Sequence, residues 1–442
     1  MALGSQQSNV DALTDITGLV HEIFVGRVLP GVRWESVTAQ LYMNAQEGDY
    51  RYDGESLNGA TDLRRPHGAM GSDGKLPDSA HTDAANWQTT PQRRYVRRAV
   101  DNFVESAAVS GPGSFADLGT RLFDQMWGAF RLMEIRHAIG GSDGVLCVVN
   151  ARTSSTVFTV KNGYQHTDCN PLMLMDEGMV ICWMDITVSN TAAGAAAIAA
   201  NGIAYDTNTV TVDSGTTWEP SATTAAGDLI CAATTNNIAT DYFASEYTNA
   251  KNGQREIIDP DAGSTTVHNI AEGTFERWKP FRKASSTFDH IEVTEFFRKM
   301  AAKSTYPITP DSHTAVIHGG AYAELARTLI GFQQQQNLGK TLEGGYQTMV
   351  ISGHDFAIDD FQLQDVMSVY CMEDLYTVSL VEAGYFDEDG SMYSRIADFD
   401  GKEWYARDYC NSFCPVRGRN GALTGITLSN VTADDFTPVP DY

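Results

Sequence analysis

The sequence is poor in basic residues: 31 lysines and arginines stand against 56 aspartates and glutamates, giving a net charge of −25. Lysine is especially scarce, and Lys75 is the only one before Lys161. A chain this acidic repels nucleic acid unless its basic residues are gathered in one place. The charge therefore argues against a protein that reads DNA sequence.

Long apolar segments are missing as well. No run of about 18 apolar residues occurs, and the first residues have neither the basic start nor the apolar stretch of a signal peptide. We therefore expect a soluble protein that is made in the cytoplasm and is not inserted in a membrane. The seven cysteines are scattered without a CxxC pair, which is typical of buried thiols in a reducing compartment. Cys410 and Cys414 have the spacing of half a zinc site, but no second pair follows them.

The usual catalytic motifs are absent too. The sequence contains no GxxxxGK[ST] phosphate loop, no GxGxxG between strand and helix, no HExxH and no GxSxG. The stretch DPDAGSTTVHN (259–269) begins like a calcium loop but lacks the spaced third ligand and the final glutamate, which favours a solvated turn. His313 and His318 flank an extended stretch that places them on opposite faces. We predict no cofactor, no metal and no enzymatic activity.

One stretch does look like a metal or acid–base site. SGHDFAIDDF (352–361) holds one histidine and three aspartates within seven positions. Apolar alternation on both sides predicts two strands with a bend at Gly353 and His354. At about 3.3 Å per residue, Asp359 and Asp360 then lie more than about 10 Å from His354, too far to share an ion. A hairpin is favoured, and a metal-dependent hydrolase that uses His354 with Asp355, Asp359 or Asp360 is the weaker alternative.

The first half of the chain predicts a long loop and two helices. Residues 46–90 are dense in Gly, Asp, Asn, Ser and Pro and are too polar to pack on their own core, so we expect them to lie over a neighbouring chain or to be disordered. Residues 91–109 look helical, with Val96, Val100 and Phe103 on one side. Residues 115–141 predict the clearest helix, because apolar residues recur at three-to-four spacing before Gly140 and Gly141.

The rest of the chain mixes strands with two shorter helices. Between 145 and 235 the apolar period changes to two and predicts strands that form a small β-barrel or sandwich, whereas the Ala-rich stretch 191–202 predicts a loop or a short turn of helix. Helices are predicted at 287–303 and 319–331, followed by strands to the end. The sequence thus predicts an α+β protein in which one long helix lies on mixed sheets.

The densest basic cluster is formed by four arginines in residues 93–98, which would occupy one and a half turns of the predicted helix. Arginine suits carboxylates at interfaces, so in this acidic chain we expect ion pairs with another subunit. A solvated helix face and direct DNA contact are the alternatives. The predicted intersubunit contacts, including three residues of the polar loop, are Arg64, Arg65, Lys75, Arg93, Arg94, Arg97 and Arg98.

The order of these elements resembles the major capsid protein of tailed viruses, bacterial or archaeal, with the Hong Kong 97-like fold. The resemblance is most specific in GQREIIDPDAGSTTVHNIAEGTFERWKP (253–280), TPDSHTAVIHGGAYAELARTL (309–329) and GYQTMVISGHDFAIDDFQLQDVMSVYCMED (345–374), and the helix at 115–139 matches the family's spine helix. It implies an N-terminal arm (1–45), an extended loop (46–95), a peripheral domain with the spine helix (96–165), an inserted β-domain (166–235), an axial domain (236–374), and a return to the peripheral domain with a C-terminal tail (375–442).

The resemblance implies a structural protein whose hexamers and pentamers form an icosahedral shell around double-stranded DNA, without sequence-specific binding. The virion would be assembled in the host cytoplasm with a portal protein. Some members of the family carry a cleaved scaffolding segment ahead of the arm. Here the predicted arm begins within a few residues of Met1, so we expect a separate scaffolding protein instead. The presence of a decoration protein is left open. An encapsulin-like cellular compartment is the alternative with the same fold. One relative crosslinks its shell through a loop lysine, for which Lys75 is the only candidate in this loop.

Overall fold

The structure, a computed structural model, is mixed α+β. It describes residues 10–11, 36–43, 45–47, 51–52, 56–63, 84–101, 118–142, 144–161, 171–185, 191–204, 207–213, 229–233, 249–258, 266–330, 340–341, 347–351, 353–385, 394–395 and 400–427. The α-helices in these ranges are α1 (Val37–Met43), α2 (Leu118–Ile139), α3 (Gln254–Ile257), α4 (His290–Ser304) and α5 (Gly319–Ile330). Short 3₁₀ helices lie at Pro171–Leu174, Glu272–Thr274 and Arg417–Arg419.

The strands in the same ranges are β1 (Val10–Asp11), β2 (Gln46–Glu47), β3 (Arg51–Tyr52), β4 (Leu57–Asp62), β5 (Ala84–Thr89), β6 (Gln92–Asp101), β7 (Val145–Arg152), β8 (Val157–Lys161), β9 (Val180–Asp185), β10 (Thr191–Ala204), β11 (Thr209–Val212), β12 (Leu229–Ala232), β13 (Thr266–Val267), β14 (Ile270–Ala271), β15 (Phe281–Ala284), β16 (His313–Ile317), β17 (Lys340–Thr341), β18 (Gln347–Ile351), β19 (His354–Ile358), β20 (Met367–Cys371), β21 (Tyr376–Tyr385), β22 (Ser394–Arg395), β23 (Gly401–Phe413) and β24 (Gly421–Thr424). The α+β class predicted from the sequence is confirmed.

The chain divides into two compact units, each assembled from segments that are distant in sequence. The first unit consists of Met1–Glu35, Pro91–Glu134 and Ser379–Cys410. The second consists of Ser36–Thr90, Ile135–Val378 and Asn411–Tyr442. The division falls within α2, β21 and β23, so these three elements contribute residues to both units.

The first unit is built on the antiparallel pairing of β6 with β23. Ten consecutive residue pairs join the two strands, from Gln92 opposite Cys410 to Asp101 opposite Gly401. On the other side of β6, β1 pairs in parallel, and β21 and β22 both adjoin β23. Strands β6 and β23 are about three hundred residues apart in the sequence, so their pairing is a contact that no local pattern specifies.

The helix predicted over residues 91–109 is wrong in its described part, because Gln92–Asp101 is strand β6. The arginine doublets at 93–94 and 97–98 are four residues apart, which imitates one helical face. In a strand, where side chains alternate, each doublet is split between the two faces of the sheet. Pairing with β23 over ten residues decides the conformation. Phe103 lies outside the described residues.

The long helix predicted over 115–141 is confirmed as α2, with 22 residues and a length of about 33 Å. Met126, Phe130 and Ile135 are among its buried residues and recur at helical spacing. The helix ends where predicted, since the Gly140 N–H donates a hydrogen bond to the Arg136 carbonyl at 2.8 Å. Of the helices described, none is both long enough and apolar enough to span a bilayer.

In the second unit, the ends of the predicted polar loop form a three-stranded sheet in the order β3-β4-β5. Leu57 and Trp87 are almost fully buried in it, so the expectation that residues 46–90 cannot pack on their own chain is wrong for both ends. A Cβ atom at Gly59 would lie 2.3 Å from the Trp87 ring, which explains the glycine there. The core beneath this sheet contains Leu57, Trp87, Val267, Ile270, Trp278, Val378 and Phe413. Residues 64–83 lie outside the described residues.

The second unit also contains a closed barrel in the order β10-β11-β8-β7-β12-β9. The alternating strands predicted between 145 and 235 are confirmed, but the loop or helix turn predicted for 191–202 is wrong, since this segment belongs to β10. Alanine favours helices in isolation, yet here Ala195 and Ala196 are buried and pair with β9, while the later part of β10 pairs with β11. The barrel begins with β7, upstream of the boundary at 166 predicted for the β insertion.

A seven-stranded sheet in the order β15-β24-β20-β16-β19-β18-β17 completes the second unit. The predicted helices at 287–303 and 319–331 are confirmed as α4 and α5 and pack on this sheet. Helix α4 contributes Val293, Phe296 and Met300, all fully buried, to a core that it shares with α5 and with the strands β16, β18, β19 and β20.

The hairpin predicted at SGHDFAIDDF is confirmed. Ile351 pairs with His354 across the bend between β18 and β19, and Gly353 adopts a φ of +88°, which favours glycine. The polar residues of this stretch have separate structural roles. His354 is buried and stacks on Phe297, with ring centroids 4.4 Å apart. Asp359 is buried at the start of α1, which lies more than three hundred residues earlier in the chain.

Asp359 holds the N-terminus of α1. The Ser36 hydroxyl donates to Asp359 Oδ2 at 2.6 Å, and the Thr38 N–H donates to the same oxygen at 2.8 Å. The Ser36 hydroxyl also accepts a hydrogen bond from the Ala39 N–H at 3.2 Å. A charged acceptor thereby satisfies donors that a helix start leaves unpaired, which anchors α1 to the segment after β19.

We expect Asp359→Ala to lower the free energy of unfolding by about 2 kcal/mol, because it leaves the buried Ser36 hydroxyl and the Thr38 N–H without their acceptor. Denaturant unfolding of the purified chain measures this loss. The exposed Asp311→Ala serves as the control and should stay within about 0.5 kcal/mol of the wild type. Equal stability of the two variants would contradict the anchoring role.

Glu292 organises the turn between β15 and α4. Its carboxylate accepts hydrogen bonds from Lys283 Nζ at 2.8 Å, from the Ser285 hydroxyl at 2.7 Å, and from the N–H groups of Ser286 at 3.0 Å and Phe288 at 2.9 Å. Burial alone would raise the pKa of Glu292, but these donors outweigh it and lower the pKa to about 2. The charged form is therefore the one that the fold requires.

Glu292→Gln should lower stability by about 2 kcal/mol at neutral pH, because the amide cannot accept the same set of charge-assisted bonds. The folded pKa lies below the unfolded value, so the contribution of Glu292 is complete above about pH 4.5 and disappears as the pH falls toward 2. Unfolding midpoints of wild type and variant should therefore converge in acid. Glu295→Gln, on the exposed side of the same helix, should change stability by less than about 0.5 kcal/mol at every pH. If the unfolding midpoints of wild type and Glu292→Gln differed by the same amount at every pH, the charged role of Glu292 would be contradicted.

Candidate functional site

The predicted intersubunit residues that the structure describes all lie on β6, in the first unit. The strand sorts them into two pairs: Arg94 and Arg98 point to one face of the sheet, and Arg93 and Arg97 to the other. Arg64, Arg65 and Lys75, the other predicted contacts, lie outside the described residues. The two faces have different surroundings and therefore different chemistry.

On the first face, Arg94 is buried and paired within its own chain. Its guanidinium donates to the Glu134 carboxylate of α2 and to the Asp408 carboxylate directly across the ladder, and it lies 3.1 Å from Cys410 Sγ. Burial alone would lower the pKa of Arg94, but Glu134, Cys410 and Asp408 outweigh it and raise the pKa above its usual range. Arg94 therefore has a structural role, and we do not retain it among the interface residues.

Cys410 and Cys414, whose spacing is that of half a zinc site, make separate structural contacts. Cys410 Sγ donates to Asp408 Oδ2 at 3.2 Å, whereas Cys414 Sγ accepts from Asn420 Nδ2 at 3.2 Å. Burial raises the pKa of Cys414 to about 12, which disfavours a metal-binding thiolate. In the part of the chain that the structure describes, no three His, Cys, Asp or Glu residues are grouped so that they could hold a metal ion.

The opposite face of the β6–β23 pair is rich in arginine and tyrosine, and we call it the Arg–Tyr face. Its residues are Arg93, Tyr95 and Arg97 from β6 and Glu403, Tyr405, Arg407 and Tyr409 from β23. All seven are exposed or half-exposed, and Tyr95 is 45% exposed. Large aromatic and cationic side chains in a contiguous exposed set are typical of binding surfaces.

Tyr409 is the centre of the Arg–Tyr face. The Arg93 and Arg407 guanidinium carbons lie 5.9 Å and 5.7 Å from the centroid of its ring. Its hydroxyl lies 2.8 Å from that of Tyr95, and the two rings meet edge to face with centroids 5.8 Å apart. At the other end of the face, Arg97 forms an ion pair with Glu403.

The Tyr95 hydroxyl keeps its proton near neutral pH. Burial and the hydrogen bond with Tyr409 raise the pKa of Tyr95 to about 12. One O–H of the pair is used between the two rings, so the accepting hydroxyl still has its own proton to donate. The Arg93 and Arg407 guanidinium groups lie beside this hydroxyl pair, so cationic and hydroxyl donors are close together on the Arg–Tyr face.

The β23 half of the Arg–Tyr face was missed in the sequence. It lies about three hundred residues from the β6 arginines, and only strand pairing brings the two together. A local pattern was present, because Tyr405, Arg407 and Tyr409 alternate with Trp404, Ala406 and Asp408 at the period of a strand. That pattern identifies a two-faced strand but not its partner.

The buried and exposed arginines of β6 should differ sharply in their contribution to stability. Arg94→Met leaves Glu134 and Asp408 buried without their cation, so we expect a loss of about 3–5 kcal/mol in denaturant unfolding. Arg97→Met, which breaks an exposed ion pair, should cost less than about 1 kcal/mol. The combination of Arg94→Met with Glu134→Gln should cost less than the sum of the single changes. Similar losses for Arg94→Met and Arg97→Met would show that the buried cluster does not support the fold.

No family model matches the sequence, and no curated protein matches it either. Solved structures do match the fold. The chain in the capsid asymmetric unit of cyanophage A-1(L) is similar over 93% of this chain and 98% of its own, with a TM-score of 0.53 and 8% identity. A capsid chain of cyanophage P-SCSP1u (TM-score 0.44, 11% identity, 92% of this chain and 94% of that one) and one of a native GTA particle (0.45, 6%, 94% and 99%) are more distant. The chain thus has the Hong Kong 97-like capsid fold that the order of its sequence elements resembles.

Proposed function

We propose that this chain is a major capsid protein that self-assembles into hexamers and pentamers of an icosahedral shell around double-stranded DNA. The observation that carries the proposal is the fold match to the cyanophage A-1(L) capsid chain over nearly the full length of both chains. A fold alone does not assign a function, so the proposal also rests on the sequence motifs and on the exposed Arg–Tyr face.

The physical properties of the chain suit a shell subunit. A closed shell is formed by many copies through repeated contacts between different surface patches of each copy. The excess of carboxylates gives the shell wall a negative charge that does not bind DNA tightly. Weak binding of this kind favours the packaging and release of the DNA. We place the protein in the virion, assembled in the host cytoplasm with a portal protein, a separate scaffolding protein and, optionally, a decoration protein.

We retain six of the predicted contact residues as interface residues. They are Arg64, Arg65, Lys75, Arg93, Arg97 and Arg98. Arg93 and Arg97 have the strongest support because they lie on the exposed Arg–Tyr face, whereas Arg98 lies half-buried on the face of Arg94. The proposal concerns their contacts with another copy of the chain.

The two alternatives are less well supported. A cellular compartment of the same fold would also form shells, but the cyanophage A-1(L) chain, which is similar over 93% of this chain, comes from a phage capsid. A hydrolase would use His354 together with Asp355, Asp359 or Asp360. Instead, His354 stacks in the core on Phe297 and Asp359 holds the start of α1.

Electron microscopy of the purified chain tests the proposal. Nuclease-treated protein, examined by negative stain and by sedimentation velocity over a range of concentrations and salt, should form capsomers, shells or tubes. Nuclease treatment separates self-assembly from aggregation on nucleic acid. A chain that stays monomeric under every assembly condition, with or without added scaffolding protein, would contradict the proposal.

A further inference from the structure

We propose that Cys182 and Cys231 are a redox-sensitive pair that forms a disulfide across the β9–β12 ladder of the barrel when the chain meets a low-molecular-weight disulfide. The sequence has seven cysteines, and the structure contains these two as thiols. The inference goes beyond the proposed function and does not depend on it, because it concerns one barrel within a single chain.

Strand pairing places the two cysteines directly opposite each other. Strands β9 and β12 are antiparallel and pair in one continuous register, with Leu229 opposite Met184 and Cys231 opposite Cys182. The two cysteines are about fifty positions apart in the sequence, so strand pairing brings them together and no local motif announces them.

Their position in the ladder suits a disulfide. The Ala233 N–H donates to the Val180 carbonyl at 2.9 Å, so these two opposite residues form a hydrogen-bonded pair. Such pairs alternate along an antiparallel ladder, so Cys231 and Cys182, two positions further along, are a hydrogen-bonded pair as well. The Cα atoms of such a pair lie about 5.5 Å apart, and disulfides are found at Cα separations of about 4.4–6.8 Å. The bond therefore requires no large movement of the backbone.

The two side chains share one face of the barrel wall. They belong to a row that crosses four strands, in which Val145 lies opposite Cys231 and Ala195 lies opposite Cys182. All four residues are buried in one apolar cluster together with Leu229. Because the register fixes the backbone, rotation about the Cα–Cβ bonds brings the sulfurs into contact, and neither thiol has to be without another contact.

Cys147 of β7 belongs to the same barrel but lies on the other face of its wall. It is opposite Ile230, the neighbour of Cys231, so the alternation of β12 places Cys147 and Cys231 on opposite sides of the sheet. Cys147 is as fully buried as the proposed pair. It provides a matched control, since it is a buried barrel thiol whose partner across the β7–β12 ladder is isoleucine.

The reaction is a thiol–disulfide exchange in two steps. The thiolate of one cysteine attacks a sulfur of the small disulfide, which breaks the S–S bond of the reagent and releases one small thiolate. The thiolate of the second cysteine then attacks the mixed disulfide, forms the protein S–S bond and releases the second small thiolate. Two electrons pass from the cysteines to the reagent, and the two protons of the cysteine thiols end on the released small thiols.

Burial and geometry make the bond conditional. Both cysteines are 0% exposed, so exchange takes place when the ladder opens, and β12 has only four residues. Opposite Cβ atoms in a ladder are about 4.5–5.5 Å apart, whereas a relaxed disulfide holds them at about 3.5–4.5 Å, so the bond is strained and easily reduced. The pair thus stays as thiols in a reducing compartment and links β9 to β12 in an oxidising one.

Peptide mapping of the oxidised chain tests the inference. The full chain is incubated with 2-hydroxyethyl disulfide, a small neutral disulfide, and remaining thiols are alkylated before digestion and mass spectrometry. We expect Cys182–Cys231 to be the main disulfide and to return to two thiols with dithiothreitol. Amide hydrogen exchange in β9 and β12 should slow at least tenfold in the oxidised form, because the link restricts opening of the ladder. Unchanged exchange would overturn the redox control of the ladder.

Alanine variants make the result specific. Cys231→Ala should lose the linkage, whereas Cys147→Ala should retain it at the wild-type yield. If unfolding midpoints show that Cys231→Ala does not fold, Cys182→Ala decides the same question, and if neither folds the wild-type map decides alone. The inference would be overturned if both residues remained thiols, or formed only mixed disulfides, after an incubation long enough for the barrel amides to exchange with deuterium. A bond from Cys182 or Cys231 to a different cysteine would overturn it as well.

Discussion

The first unit depends on one long-range interaction, the ten-residue antiparallel pairing of β6 with β23. These strands are about three hundred residues apart in the sequence, so their hydrogen bonds compensate for a large loss of chain entropy. The buried cluster of Arg94 with Glu134 and Asp408 fixes their register, because a slip by one residue would bring Arg94 to the opposite face. Once the register is set, the arrangement of the opposite face follows. Tyr95 meets Tyr409, and Arg97 reaches Glu403.

Structural elements that are specified by neighbouring residues could be predicted from the sequence. Helix α2, the barrel strands with alternating residues, and the hairpin at Gly353 were predicted because period and turn residues specify them locally. The errors concern segments whose conformation depends on a distant partner. Residues 92–101 look helical by arginine spacing but are held as a strand by β23, and the Ala-rich β10 is held by β9 and β11.

The roles of single residues are likewise hard to predict when their partners are distant in the sequence. The sequence places Asp359 at the far end of a hairpin strand, with a metal ligand as the weaker alternative, whereas its partners Ser36 and Thr38 lie more than three hundred positions away. Nothing near Asp359 in the sequence indicates a helix cap. The same is true of Trp87, which looks like part of a polar loop but packs with Phe413 in the core, with ring centroids 4.5 Å apart. Local composition predicts exposure well only where no distant strand covers the residue.

Charge connects the fold to the proposed function. An acidic chain that must associate with itself needs basic residues in a few defined places, and β6 uses its arginines in two ways. Arg94 is buried inside the first unit, whereas Arg93 and Arg97 are exposed on the opposite face of the sheet. The alternation of a strand achieves this division with adjacent residues, whereas a helix over the same residues would have placed all four arginines on one solvated side.

The central claim is that this fold forms a closed shell from copies of one chain. Cryo-electron microscopy of particles assembled from the purified protein tests it most directly. The account predicts icosahedral particles of hexamers and pentamers, with density for the β6–β23 sheet and α2 in every subunit. A well-folded chain that yields only monomers or small open oligomers, across the conditions in which capsid proteins assemble, would contradict it.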